Sequence, residues 1–185
     1  MTAETEKPKV LIVDDEERVA NTYELRLGTE YETEVVLSGE EAIQTVDEET
    51  DIILLDRRMP GMTGDDVLEQ IRKRGLDCRV VMLTAVDPDF DIADMDIDDY
   101  VVKPVDREQL GKVVERALTI SEYNEQMQKL SSLKLKRNVL EVELSDNELH
   151  DSPEYQTLTE DIDSLEAEIE EMEDTLDIDQ VDLYL

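Results

Sequence analysis

The chain has 185 residues, 39% of them hydrophobic, which is enough for one ordinary core and a smaller second unit. Its 51 Asp and Glu against 18 Lys and Arg leave a formal net charge of −33, which argues against nonspecific nucleic-acid binding, because displacing counterions from phosphates requires cationic side chains. One cysteine, Cys78, excludes an intramolecular disulfide, and the polar start and lack of any apolar run near the roughly 18 residues needed to cross a bilayer point to a soluble, cytoplasmic protein with no membrane partner.

From Lys9 to Ile120, short apolar runs alternate with helix-like segments. The runs Val10–Val13, Glu34–Leu37, Ile52–Leu55, Val80–Leu83 and Tyr100–Val102 are mostly continuous in Val, Ile and Leu, as expected of parallel strands covered on both faces. Glu16–Leu27 puts Val19, Ala20, Tyr23 and Leu27 on one helical face, and Gly28 supplies a stop. Ser38-Gly39-Glu40-Glu41 reads as a capping box opening a helix through Val46. Asp65–Arg74 groups Val67, Leu68 and Ile71 before Gly75, and Asp106–Ile120 carries a stripe of Leu110, Val113, Val114, Ala117 and Leu118. Between Ala85 and Tyr100, Pro88 and seven aspartates leave Phe90, Ile92, Met95 and Ile97 to pack, which predicts only one or two irregular helical turns.

Five such strands predict an α/β fold, a doubly wound five-stranded parallel sheet whose ligand site lies beyond the carboxyl ends of the strands. Those ends carry Asp14-Asp15, Asp56, Thr84 and Lys103-Pro104. Three carboxylates, a hydroxyl and an ammonium on one rim make a hard oxygen site suited to Mg2+. An Asp carboxylate there can act as a nucleophile toward phosphorus, with metal and lysine stabilising oxygen charge.

Through LIVDDEE, LLDRRMPGMTGDD, VVMLTA and DDYVVKPV, residues 9 to 120 resemble the response-regulator receiver family, the flavodoxin-like fold of CheY-like proteins. The resemblance implies that Asp56 is the phosphoacceptor served by a sensor histidine kinase, and that the chain is a phosphoacceptor regulator, not an enzyme. It implies that Asp15 ligates Mg2+ directly and Asp14 largely through water, with the Arg58 backbone carbonyl and Asp56 completing the protein ligands. Lys103 and Thr84 would contact phosphoryl oxygens, Tyr100 would change rotamer with Thr84, and the Lys103–Pro104 peptide would be cis. A phosphatase of the haloacid dehalogenase type needs an acid two positions after its nucleophile, where this chain has Arg58. A flavodoxin-like cofactor binder would want a Ser-, Thr- or Gly-rich loop where Asp14-Asp15-Glu16-Glu17 stands.

After Ile120 the strand signal ends, which sets the expected units at 1–120 and 121–185. Tyr155, Leu158, Ile162, Leu165, Ile169, Met172 and Leu176 alternate spacings of three and four, a coiled-coil seam flanked by acids. Tyr123, Leu130, Leu133, Leu140 and Leu144 form a less regular seam containing Arg137, and Ser145–Pro153 separates the two, with Ser152 as cap and Pro153 in the first turn. A helical hairpin, or two seams meeting a homodimer or another partner, fits equally well. Length, position and acidic heptads resemble the HalX domain of haloarchaeal regulators. Lys129, Lys134, Lys136 and Arg137 are the one basic cluster, and either contact DNA or offset neighbouring acids. His150 falls in the predicted loop, where a solvated role is expected.

The acidic excess is not confined to one part. Residues 1–120 hold 31 acidic and 14 basic side chains, net −17, and residues 121–185 hold 20 and 4, net −16. Such a chain repels itself in dilute solution and suits a salt-rich, halophilic cytoplasm, where at 1 M the Debye length falls to about 3 Å. The expected function is a phosphorelay response regulator passing its signal to a helical output region that regulates transcription; the alternative is a phosphorylation-controlled protein-interaction module without DNA binding.

Overall fold

The computed structural model describes residues 7–85, 88 and 90–176, with the side chains of residues 91, 175 and 176 excepted. By compactness the chain divides into two units, at Met1–Leu118 and Thr119–Leu185.

In the first unit, β1 (Lys9–Val13), β2 (Glu32–Val36), β3 (Ile52–Leu55), β4 (Arg79–Thr84) and β5 (Asp99–Val102) form one parallel sheet in the order β2-β1-β3-β4-β5. The side-chain period of two sorts the buried residues into two layers. Leu11, Val13, Ile53, Leu55, Val80 and Met82 pack with α2 (Gly39–Thr45) and α3 (Gly64–Lys73), whereas Val10, Ile12, Ile52, Leu54, Val81 and Leu83 pack with α1 (Glu17–Leu27) and Leu110, Val114 and Ala117 of α4 (Arg107–Glu143). Burial on both faces is why β1, β3 and β4 read as unbroken apolar runs. β2 is an edge strand with its outer residues exposed, so its apolar stretch marked only its end: it runs Glu32–Val36, not Glu34–Leu37.

Caps set the helix starts. Ser38 Oγ accepts from Glu41 N–H at 3.2 Å, while the Glu41 carboxylate accepts from Leu37 N–H at 3.1 Å. The α2 start is thus half of the expected box, whereas a full capping box, Thr63 with Asp66, begins α3 at Gly64, one residue before the expected start. Among its described residues the aspartate-rich stretch forms one short 3₁₀ turn, Phe90–Asp94. Met95 and Ile97 pack on the first layer, but Phe90 is 95% exposed, contrary to the expectation that it packs. Asp98 explains part of the acid density: its carboxylate accepts from Arg72 at 3.1 Å, Arg79 at 2.7 Å and Val80 N–H at 2.7 Å, pinning α3 and β4 to the start of β5.

In the second unit, the part of α4 beyond residue 119 and α6 (Pro153–Leu176) pack as a hairpin. Leu130, Ile162, Leu165 and Ile169 are buried against Tyr123, Leu133 and Leu158. The partners run antiparallel: Tyr123 Oη donates to Glu173, Lys134 pairs with Glu166, and Tyr155 Oη donates to Glu141. Of the two shapes open for the heptads, these seams therefore close on each other; the Leu176 side chain and residues 177–185 lie outside the described residues. The expected separator is not all loop, since it holds the short helix α5 (Asp146–His150), with the Glu148 carboxylate accepting from Ser145 N–H. His150 is the last residue of that helix, and exposed. Ser152 caps α6 by accepting from Tyr155 N–H at 3.2 Å.

Candidate functional site

The strand order reverses between β1 and β3, and a doubly wound sheet opens its crevice at such a point, beyond the carboxyl ends. β1 is followed there by Asp14 and Asp15, and β3 by Asp56. Pairing of Val13 with Leu55 aligns the two strand ends, and the ladder extends as Asp56 N–H donates to the Val13 carbonyl at 2.8 Å. One carboxylate oxygen from each of Asp14, Asp15 and Asp56 lies within 4.8 Å of the others. Asp14 and Asp56 are buried and Asp15 is exposed, so the cluster opens to solvent on one side.

Lys103, just past β5, reaches this cluster. Its Nζ donates to Asp14 Oδ2 at 2.6 Å and Asp56 Oδ2 at 3.1 Å. β5 is held next to β4 as Lys103 N–H donates to the Thr84 carbonyl at 2.8 Å, and the Lys103–Pro104 peptide is cis. Burial works against the Lys103 charge, but the hydrogen bonds and charges of Asp14 and Asp56 outweigh it and hold the ammonium above its ordinary pKa. For Asp14 burial dominates and raises the carboxyl, offset in part by Lys103 and by Glu16 N–H, which donates to Oδ1 at 2.9 Å.

Thr84 ends β4 and is fully buried, and Tyr100 in β5 is half-buried against the first core layer. Arg58 is exposed, two residues after Asp56, and its N–H donates to Asp56 Oδ1 at a long 3.4 Å. The chain thus gathers Asp14, Asp15, Asp56 and Lys103 in direct proximity.

Two supports are not obvious from strand-end reading. Gly64 opens α3 so close behind the acid that a Cβ there would sit 2.4 Å from the Asp56 carbonyl oxygen. Arg57 donates Nε and Nη2 to Asp65, in the first turn of α3, at 3.0 and 3.1 Å. The glycine in MTGDD was the available signal for the first; nothing in the spacing distinguished Arg57 from Arg58.

Whether these residues suit a divalent cation is a question of donors and charge. The donors are hard oxygens, as a divalent cation prefers, and such a cation would offset both the excess of three carboxylates over one ammonium and the burial that pushes the Asp14 carboxyl up. The set fits.

Residues 10–115 match the response regulator receiver domain and residues 119–183 match the HalX domain. Over 113 residues the chain is 52% identical to a Haloferax volcanii protein named "Putative transcriptional regulator"; the match covers 60% of this chain and 19% of that relative, so the chain spans only a minor part of its length. Among solved structures, it is similar to the response regulator protein TrrA of Thermotoga maritima in complex with Mg(2+)-BeF, with a TM-score of 0.53 and 31% identity, covering 60% of this chain and 99% of that one. It is also similar to the chemotaxis protein CheY4 of Vibrio cholerae, with a TM-score of 0.56 and 28% identity, covering 60% and 99% of the two chains.

Proposed function

This chain belongs to the response regulator receiver family and carries a HalX domain behind the receiver, and on that premise we propose that Asp56 accepts a phosphoryl group in a two-component relay and that the signal passes to the helical C-terminal unit. A receiver domain is a phosphoacceptor rather than a classical enzyme, and it implies a cognate histidine kinase. The observation that carries the reading is Lys103 bridging Asp14 and Asp56 at the rim where the sheet order reverses.

The clustered Asp14, Asp15 and Asp56 would hold Mg2+, with the Arg58 carbonyl as a further ligand by the receiver resemblance; that the similar TrrA was solved with Mg(2+)-BeF supports a Mg2+ site. When bound, the ion supplies charge neutralisation to the phosphoryl oxygens. The Asp56 carboxylate forms the new O–P bond while the donor histidine's N–P bond breaks and its nitrogen takes up a proton. The Lys103 ammonium, held on the Asp56 carboxylate, is placed to stabilise the transferred oxygens. Thr84 supplies a hydroxyl at the end of β4, and a local packing change there, accommodated by Tyr100, biases the face formed by β5 and the start of α4. Intact-mass measurement after exposure to a small-molecule phosphodonor tests this. Wild type gains one phosphoryl group, a chelator abolishes the gain, and Asp56→Asn gains none; equal labelling of the variant overturns it.

For output, the similarity to a relative named as a transcriptional regulator favours control of transcription. The protein-interaction reading is favoured by the basic cluster, where Lys134 pairs with Glu166 and Arg137 lies 3.7 Å from Glu141. Retention on DNA at physiological salt by the full chain, lost on neutralising Lys129 and Lys136, selects the first reading; no retention selects the second.

A further inference from the structure

On α4 the residues facing away from the hairpin seam are unlike the rest of the molecule. Taken at 3.6 residues per turn, Gln128, Ser131, Ser132, Leu135, Val139 and Val142 share the side opposite Leu130 and Leu133, and all six are exposed. Leu135, Val139 and Val142 are 65%, 55% and 81% exposed, spaced four and three apart as in a second helical seam. None of the six is charged, in a chain where 37% of residues are. α6 carries ten acidic residues and no basic one, whereas residues 121–143 of α4 balance Glu122, Glu125, Glu141 and Glu143 against Lys129, Lys134, Lys136 and Arg137. The outer face of α4 is therefore the neutral, partly apolar side of a strongly anionic unit.

We propose that a second copy of this chain docks there, two α4 helices pairing antiparallel about a two-fold axis that passes between Asn138 and Val139. Charge complementarity selects both the occupant and the register. Centred at that point, Leu135 of one copy meets Val142 of the other. On one flank Lys136 comes level, within about one helical turn, with the second copy's Glu143, and two-fold symmetry repeats the pair. Among the described residues neither Lys136 nor Glu143 makes an ion pair within its own chain. A parallel, in-register pairing would instead leave Lys136 of one copy and Glu143 of the other on opposite flanks of the seam, out of reach of each other. The acidic α6 cannot serve as the self-contacting face, since ten carboxylates would meet ten.

Sedimentation equilibrium of the full chain across a dilution series, at the lowest salt that keeps it folded, measures the association. Wild type is expected to be dimeric, and Val139→Glu monomeric with an unchanged circular dichroism spectrum. Lys136→Glu replaces two attractive pairs by repulsive ones and should weaken the dimer roughly tenfold, at about 1.4 kcal/mol in total. Lys136→Glu combined with Glu143→Lys in the same chain should restore it, an outcome that only the antiparallel register gives. A monomeric wild type, a dimer indifferent to Val139→Glu, or a double variant no better than Lys136→Glu alone each overturns the proposal.

Discussion

Lys103 stands between two buried carboxylates, which makes it both the counter-charge that lets Asp14 and Asp56 share a site and the group best placed to meet a third set of oxygens. That placement was legible because charged and hydroxyl residues directly after apolar runs have few structural reasons to be there. Gly64 is the counterpart that residue chemistry alone does not announce, since its value lies in having no side chain. Replacing it with Ala drives a Cβ into the Asp56 backbone carbonyl, which cannot rotate aside. Gly64→Ala should lose about 2–3 kcal/mol in denaturant titration, and an unchanged midpoint would show that the α3 start moves freely. Cys78 offers a separate check at this scale. Burial pushes its thiol up to about 11, so at pH 8 about one molecule in a thousand carries the reactive thiolate. Alkylation of the native protein should be negligible and should become complete on unfolding; fast native labelling would contradict the buried assignment.

At the level of elements, the strands covered on both faces were readable as runs, and the helices were readable from stripes and caps. What escaped reading is explained by partial exposure or by local polar bonding. β2 lies at an edge, so half of its residues face outward and carry no hydrophobic signal. α5 is held by a capping box and a single buried residue, Leu149, too little to make a stripe. Asp98 was one aspartate among seven until its contacts with Arg72, Arg79 and Val80 set it apart. The heptads of α6 were legible as a seam, but the partner was not, because period fixes which face is apolar and not what covers it. With Ile162 fully buried in a core of four buried residues, Ile162→Ala should cost the C-terminal unit about 3 kcal/mol. Hydrogen exchange should rise in α6 while β1, β3 and β4 keep their protection, because each unit has its own core. Loss of protection throughout the sheet would show that the units fold as one.

The molecule as a whole carries −33, divided almost evenly between its parts, and no helix among the described residues is long and apolar enough to cross a membrane. Self-repulsion of that size opposes compactness until salt screens it. Thermal melts should therefore rise from dilute to molar potassium chloride, and a flat or falling melting temperature would remove the halophilic reading. The charge also gives the acidic site its setting, for a cluster of three carboxylates in an already anionic molecule attracts cations before any specific ligand geometry acts. The signal proposed to reach the output unit depends on that site being the trigger. The most direct measurement is to phosphorylate the full chain in the presence of Mg2+, reduce the acyl phosphate with borohydride and map the reduced residue by tandem mass spectrometry. The account predicts reduction at position 56 alone, absent in Asp56→Asn and absent after chelation. Reduction at Asp14, Asp15 or any other acid, or labelling that ignores the metal, would contradict it.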